Sequence, residues 1–172
     1  AASFDWVAAD APLEQVAQTI TAMANMRAGG TLLIGIEGDA GAVQGVSDNA
    51  AALDRALEAV LRVQPRLIVP MPQAVTLDAK TVIAVTIPSG LPNVYAVDGR
   101  YLRRDGAYNV PLDPRELRRL LMERGEITFE TEIARGATRD DIDWNKAKAY
   151  ALRVGAPDVE SLLVKRGCGV RV

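Results

Sequence analysis

The sequence predicts an α+β fold, a mixed β-sheet with helices packed against it, and three observations carry that prediction. Residues 19–35, TITAMANMRAGGTLLIG, run an amphipathic helix through a polar, glycine-paired turn straight into a hydrophobic strand. Short β-rich runs then recur up to residue 104, divided by Gly, Pro and Asp turns and interrupted by a single helical stripe. A charged helix with a full capping signature closes the region at Asp113.

Taken in order, residues 3–7 form a short strand with Phe4 and Trp6 in alternation. Leu13, Val16, Ala17, Ile20, Met23 and Ala24 recur at helical spacing, with Asp10 and Pro12 as the start signal. Asn25 and Arg27 break the apolar stripe, Gly29-Gly30 ends the helix, and TLLIGI reads as a strand covered on both faces. EGDAG turns the chain into AVQGV, a hairpin arm. Ser47 or Asp48 caps a second helix whose stripe is Leu53, Ala56, Leu57, Val60 and Leu61. Pro65, Pro70 and Pro72 enforce an extended passage. QAVTL and TVIAVTI are strands around the DAK turn, and NVYAV and RYLRR are two more, with Tyr108 and Asn109 in the loop that follows.

The third helix opens with Asp113 as N-cap, Pro114 at the first helical position and Glu116 as the reciprocal partner. Leu117, Leu120 and Leu121 face inward, which leaves Arg115, Arg118 and Arg119 outside. From residue 125, GEITFETEIARGAT reads as an extended crossing segment. Thr138 with Asp141 caps a further helix, and residues 157–165 give a last one stopped by Gly167. The organisation is therefore a sheet-and-helix domain over 1–124 and a linker with two helices over 125–172. The absence of an initial Met and the ending in RGCGVRV suggest a piece of a longer protein.

Composition narrows the chemistry. The 172 residues are 49% hydrophobic, enough for one well-packed core and an appendage. There is no histidine and one cysteine, Cys168, so histidine-based triads and general-base chemistry are excluded and no internal disulfide can form. Zinc is not expected without such ligands, no other metal or cofactor is called for, and a reducing, cytoplasmic setting fits. No apolar run reaches membrane-spanning length. GxxxxGK[ST] is absent, and the glycines of GIEGDAGAVQG serve a hairpin rather than a dinucleotide loop. Net charge is −2, unevenly spread: residues 1–65 hold eight acids and three bases, whereas residues 100–124 hold seven arginines and four acids. That local excess is either an anion-binding face or a solvated helix surface.

TITAMANMRAGGTLLIGIEGDAGAVQGV resembles the Schlafen AlbA-like domain, whose signature is a helix ending in an S-A-F-A-N-T-x-G-G-like turn, a strand, a G-V-D-D-like turn and a V-x-G arm. KTVIAVTIPSGLPNVYAVDGRYLRRDGAYNVPLDP is similar to that family's later strand, proline loop and finishing motif, with Tyr101, Arg104 and Gly106 on its tyrosine, arginine and glycine. The resemblance covers about residues 3–124. ATRDDIDW is similar to the segment that, in bacterial members, leads toward ATPase-like and winged-helix regions, which this chain lacks.

The resemblance implies a nucleic-acid-binding module, DNA first, of bacterial transcriptional regulators. Some animal relatives cut RNA with three metal-holding carboxylates. Carried over, the second of these falls on Asp5, the first would precede Ala1, and the third falls on Gly38 beside Glu37, while Val7 replaces a usual lysine. With one carboxylate in place, hydrolysis is not expected. The expected nucleic-acid contacts are Arg100, Arg103, Arg104, Tyr108, Asn109, Arg115, Arg118 and Arg119, with Asn25, Gly29 and Gly30 as the motif turn. Strand alternation sends Arg103 and Arg104 to opposite faces. Tyr108 either stacks on a base or lids the third helix, and Asn25 either holds backbone groups or touches ligand, the former preferred. A protein-interaction or dimerisation module serving an ATPase-like domain is the alternative function, a remnant nuclease the third, and homo-oligomerisation stays open.

Overall fold

The computed structural model describes residues 4–127, 136 and 138–166, which divide into two compact units, 1–126 and 127–172. In the first unit, β1 (Phe4–Val7), β2 (Gly30–Ile34), β6 (Lys80–Ile87) and β5 (Gln73–Leu77) form a sheet in that order. β1 runs parallel to β2 and the other pairs are antiparallel, so the sheet is mixed, as the α+β prediction requires. β3 (Ile36–Glu37) and β4 (Ala42–Val43) make a small hairpin, and β7 (Ala96–Val97), β8 (Arg100–Asp105) and β9 (Tyr108–Pro111) make a second sheet.

Helices α1 (Leu13–Ala24) and α2 (Asn49–Leu61) cover one face of the mixed sheet. Leu32, Ile34, Ile83, Val85 and Ile87 project from the sheet into a core shared with Ile20, Met23, Ala56 and Val60. The Arg55 guanidinium reaches across from α2 to the carbonyls of Ala9 (3.1 Å) and Ala11, tying down the link between β1 and α1.

The second sheet packs on α1 from the other side. From Thr19 to Ala24 every residue is buried, the alternate polar ones included. Thr19 and Thr21 satisfy their hydroxyls on the carbonyls of Gln15 (2.9 Å) and Ala17 (2.8 Å). The single apolar stripe read from the sequence is thus too narrow. Short Ala and Thr side chains let a second layer approach, and the helix becomes central rather than superficial.

Five local readings change. Pro12 is the N-cap of α1 and gives it no side-chain cap, so Asp10 plays no such part. Asn25 is the C-cap, and Gly29-Gly30 lies beyond the helix, at the entry to β2. TLLIGI breaks at Gly35 into β2 and β3, with Leu32 and Ile34 buried and Thr31 and Leu33 half-buried. Tyr108 and Asn109 lie in β9 rather than a loop, because Gly106, at φ +58°, turns the chain into a hairpin. Leu61, counted in the α2 stripe, is exposed at the end of its helix. Asp48 does cap α2, accepting from the Ala51 N–H (3.1 Å).

In the second unit, Thr138 and Asp141 make their reciprocal box around a single 3-10 turn, Arg139–Asp141. Asp143 caps the helix that follows, α4 (Trp144–Arg153), and α5 (Val159–Lys165) packs on it. Arg139 lies over the Trp144 ring, 5.3 Å from its centroid, and reaches Glu160 at 2.5 Å. The extended crossing segment, Gly167 and Cys168 fall largely or wholly outside the described residues.

Gly29 is the tightest point of the β2 entry. Its φ is +62°, and a Cβ there would stand 2.3 Å from the Ile87 carbonyl oxygen and 2.6 Å from the Pro88 carbonyl. Gly38, at φ +67°, has nothing within 4 Å of such a Cβ. Gly38→Ala is expected to cost about 1 kcal/mol for the left-handed backbone alone. Gly29→Ala is expected to cost clearly more, because two backbones must separate. Urea denaturation of the two variants beside the parent checks the difference.

Candidate nucleic-acid interface

The third helix, α3 (Pro114–Glu123), starts as its residues require. Asp113 accepts from the N–H of Glu116 (2.8 Å) and of Arg115 (2.7 Å), and Glu116 returns a bond from the Asp113 N–H (3.1 Å). These N–H groups, that of Glu116 foremost, hold the Asp113 carboxyl below its ordinary value of 3.8. At the far end Arg124 donates to the carbonyls of Asn93 (2.8 Å), Leu91 and Ala24 (3.1 Å), and Glu126 accepts from the Val94 N–H (2.5 Å). Fastened at both ends, α3 presents Arg115, Arg118 and Arg119 to solvent beside Met122, along a shallow groove of about 510 Å³.

The remaining expected contacts separate. Arg103 faces α3, with Nε 3.2 Å from Glu116 and Nη1 3.3 Å from Asp105. Arg104 turns the other way, as strand alternation predicts. Its guanidinium is nine-tenths buried, pairs with Asp5 of β1 and donates to Asn109 Oδ1 (2.7 Å). Asn109 Nδ2 then donates to Thr19 Oγ1 (2.9 Å), so a polar chain joins β1, β8, β9 and α1. Arg104 Nε is buried without a partner among the described residues. Arg100 is exposed at the start of β8, and Tyr108 is 75% exposed at the start of β9, so it is no lid over α3. Apart from Arg100, the expected contacts therefore fall into an α3 group and an Arg104 group rather than one face.

Asn25 holds backbone groups, but not those of its own turn. Buried to 6% exposure, its Nδ2 donates to the carbonyls of Tyr95 and Leu102, and its Oδ1 accepts from the Tyr95 N–H, each at 2.8 Å. Sequence reasoning missed the Asp5–Arg104 pair and the Arg124 fastening. Both join residues far apart in the chain, and only the placement of Arg104 in a finishing motif hinted at one of them.

On the Asp5 side of Arg104 lies a cleft of about 740 Å³, with Trp6, Glu37, Asp39 and Tyr108 on its walls. Among the described residues no group of three acids, histidines or cysteines is placed to hold a metal ion. Asp5, the one carboxylate in position for the family's trio, is engaged by Arg104, so the residues present do not fit that metal site.

The Schlafen, AlbA_2 family profile matches residues 5–113, which include α1, the Gly29 turn, the β8–β9 hairpin and all of β1 and the cleft but Phe4. The chain belongs to this family. Among solved structures, the DIP2311 protein of Corynebacterium diphtheriae is similar in fold, with a TM-score of 0.57 at 19% identity over 96% of this chain. The chain spans 32% of that protein's length. The N-terminal domain of a RecG-related ATP-dependent DNA helicase homologue from Nitrosomonas europaea aligns with a TM-score of 0.44 at 23% identity, covering 65% of this chain and 81% of that one. No curated protein matches the chain. Among the described residues no helix is long and apolar enough to cross a membrane. Within this AlbA_2 domain, the family's turn motif thus acts as scaffold: Asn25 fastens two layers and Gly29 admits the Ile87–Pro88 backbone.

Two measurements check this division. Asn25→Ala strands one buried N–H and two buried carbonyls, each worth about 1–3 kcal/mol if unsatisfied, so a loss of about 2–4 kcal/mol is expected by urea denaturation. At Asp113 the folded-state pKa is depressed, so the cap's contribution is whole above 3.8 and is lost as pH falls through the lowered value. The Glu116 amide resonance is expected to titrate with a midpoint below 3.8, and Asp113→Asn to abolish that titration.

Proposed function

We propose that residues 1–126 form a non-enzymatic nucleic-acid-binding module of a bacterial transcriptional regulator, with α3 as its phosphate-facing element. One observation carries the reading: Arg115, Arg118 and Arg119 stand exposed together on one helix that is fastened at both ends. Arginine forks suit phosphate oxygens, and a rigid mount lowers the ordering cost of binding. Arg103, Arg104 and Arg124 are engaged within the fold, so of the seven arginines over residues 100–124 the outward ones are Arg100 and the α3 strip of Arg115, Arg118 and Arg119. Such a strip contacts backbone rather than base edges, so affinity depends on salt far more than on sequence. DNA is the favoured target. Hydrolysis is not part of the reading, since Asp5 is held by Arg104.

A second reading, a protein-interaction or dimerisation module serving an ATPase-like domain, is favoured by a different observation. β5 is an edge strand exposed along its whole length, with Val75 and Leu77 on it and Ile68 and Met71 exposed just before it. An uncovered edge of this kind invites another chain.

Fluorescence anisotropy with duplex DNA and single-stranded RNA, at low and moderate salt, separates the two. Duplex binding is expected to fall steeply with salt. Arg115→Ala with Arg119→Ala is expected to lower the slope of log K against log salt by about 2, near 0.9 for each phosphate no longer neutralised. The nucleic acids are expected to stay intact with magnesium or manganese present. No binding at low salt would overturn the proposal in favour of the interaction module.

A further inference from the structure

The cleft beside Arg104 has a chemistry opposite to that of α3. Of the chain's eight aromatic residues, three line it: Phe4, Trp6 and Tyr108. All three are open to solvent, at 62%, 38% and 75% exposure. Exposed aromatic rings gathered at one depression are a costly arrangement for a surface with no ligand.

The charges there are as one-sided as the rings. The Glu37 and Asp39 carboxylates are exposed and make no ion pair or hydrogen bond among the described residues. Arg104 is the only cation among the lining residues, and its guanidinium is already paired with Asp5. Asp5 and Arg104 offset one another, so the cleft presents a formal charge of −2. One hydrogen bond joins the acids to the rings: Trp6 Nε1 donates to the carbonyl of Gly38 at 3.0 Å, and Gly38 lies between Glu37 and Asp39. Gly41 of the same hairpin backs onto the indole, where a Cβ would come within 3.8 Å of it.

A phosphate is repelled from such a place. A cation with a flat, weakly hydrated face is what it suits, because ring faces attract cations and carboxylates accept from their N–H groups. The guanidinium fits both requirements better than a compact ammonium, being planar, always charged and able to stack while donating from its edge. We propose that the cleft is a docking site for an arginine side chain on a basic segment of a partner protein, with Trp6 and Tyr108 as stacking surfaces and Glu37 and Asp39 as acceptors. This surface is separate from the α3 arginines, and it stands whether or not those bind nucleic acid.

The test uses the full chain and three blocked pentapeptides, Gly-Arg-Gly-Arg-Gly and its Lys and Gln counterparts. The probe is the Trp6 indole N–H resonance, assigned by its loss in Trp6→Phe. A saturable shift is expected with the arginine peptide, several-fold weaker binding with lysine, and none with glutamine. Glu37→Gln with Asp39→Asn is expected to weaken arginine-peptide binding at least tenfold. Because both side chains are exposed, this variant should leave the melting temperature unchanged. No saturable shift with the arginine peptide would overturn the assignment, as would equal binding of the glutamine peptide or binding indifferent to the Glu37/Asp39 change. A single-stranded oligonucleotide that shifts Trp6 and displaces the arginine peptide would also overturn it, and make the cleft a nucleobase site.

Discussion

The carboxamide of Asn25 is the interaction on which the rest of this domain depends. It is planar and buried, with two donors and an acceptor engaged at 2.8 Å by backbone groups 70 and 77 residues away. No apolar side chain can take its place without leaving those groups unpaired in the interior. Sitting at the end of α1, it ties the helix to the segment around Tyr95 and to β8. The second sheet therefore has a defined position on the helix rather than a merely greasy one. The Arg124 bond to the Ala24 carbonyl brings α3 to the same spot.

Burial of α1 between two sheets follows from the same design. Ala17, Ala22 and Ala24 have no exposure at all, and the two threonines among them satisfy their hydroxyls on the helix itself. Small side chains allow close approach on every side, and large ones, Ile20 and Met23, fill the space between layers. Gly29 extends the principle to the backbone, since the strand entry passes too near Ile87 and Pro88 for any Cβ.

Electrostatics divide the domain's surface. Arg103, Arg104 and Arg124 each end on a carboxylate or a carbonyl of the fold, and Arg115, Arg118 and Arg119 are exposed on α3. A cluster that is dense along the chain is thereby thinned to one helix face and Arg100 at the start of β8. The acidic N-terminal half supplies the counterpart, with Asp5 drawn inward and Glu37 and Asp39 left at the mouth of a cleft. Separate surfaces of opposite sign can serve different partners without competing for the same ligand.

The sequence by itself determined the mixed α/β character, the order of the major helices and strands and the Asp113 cap, and it offered Ser47 or Asp48 as the cap of α2. These rest on local chemistry, namely periodicity, capping side chains and glycines where the chain must turn, whereas the family followed from the resemblance of two separated motifs. The sequence also predicted that Arg103 and Arg104 would part, because strand geometry requires it. Only the tertiary structure decided what Asn25 touches, that Asp5 meets Arg104, that Tyr108 begins a strand, and which arginines remain outside. The Asn25 and Asp5 outcomes are pairings across 70 to about 100 residues of chain. An arginine's range of partners is too broad for its neighbours in sequence to name the one that folding brings to it.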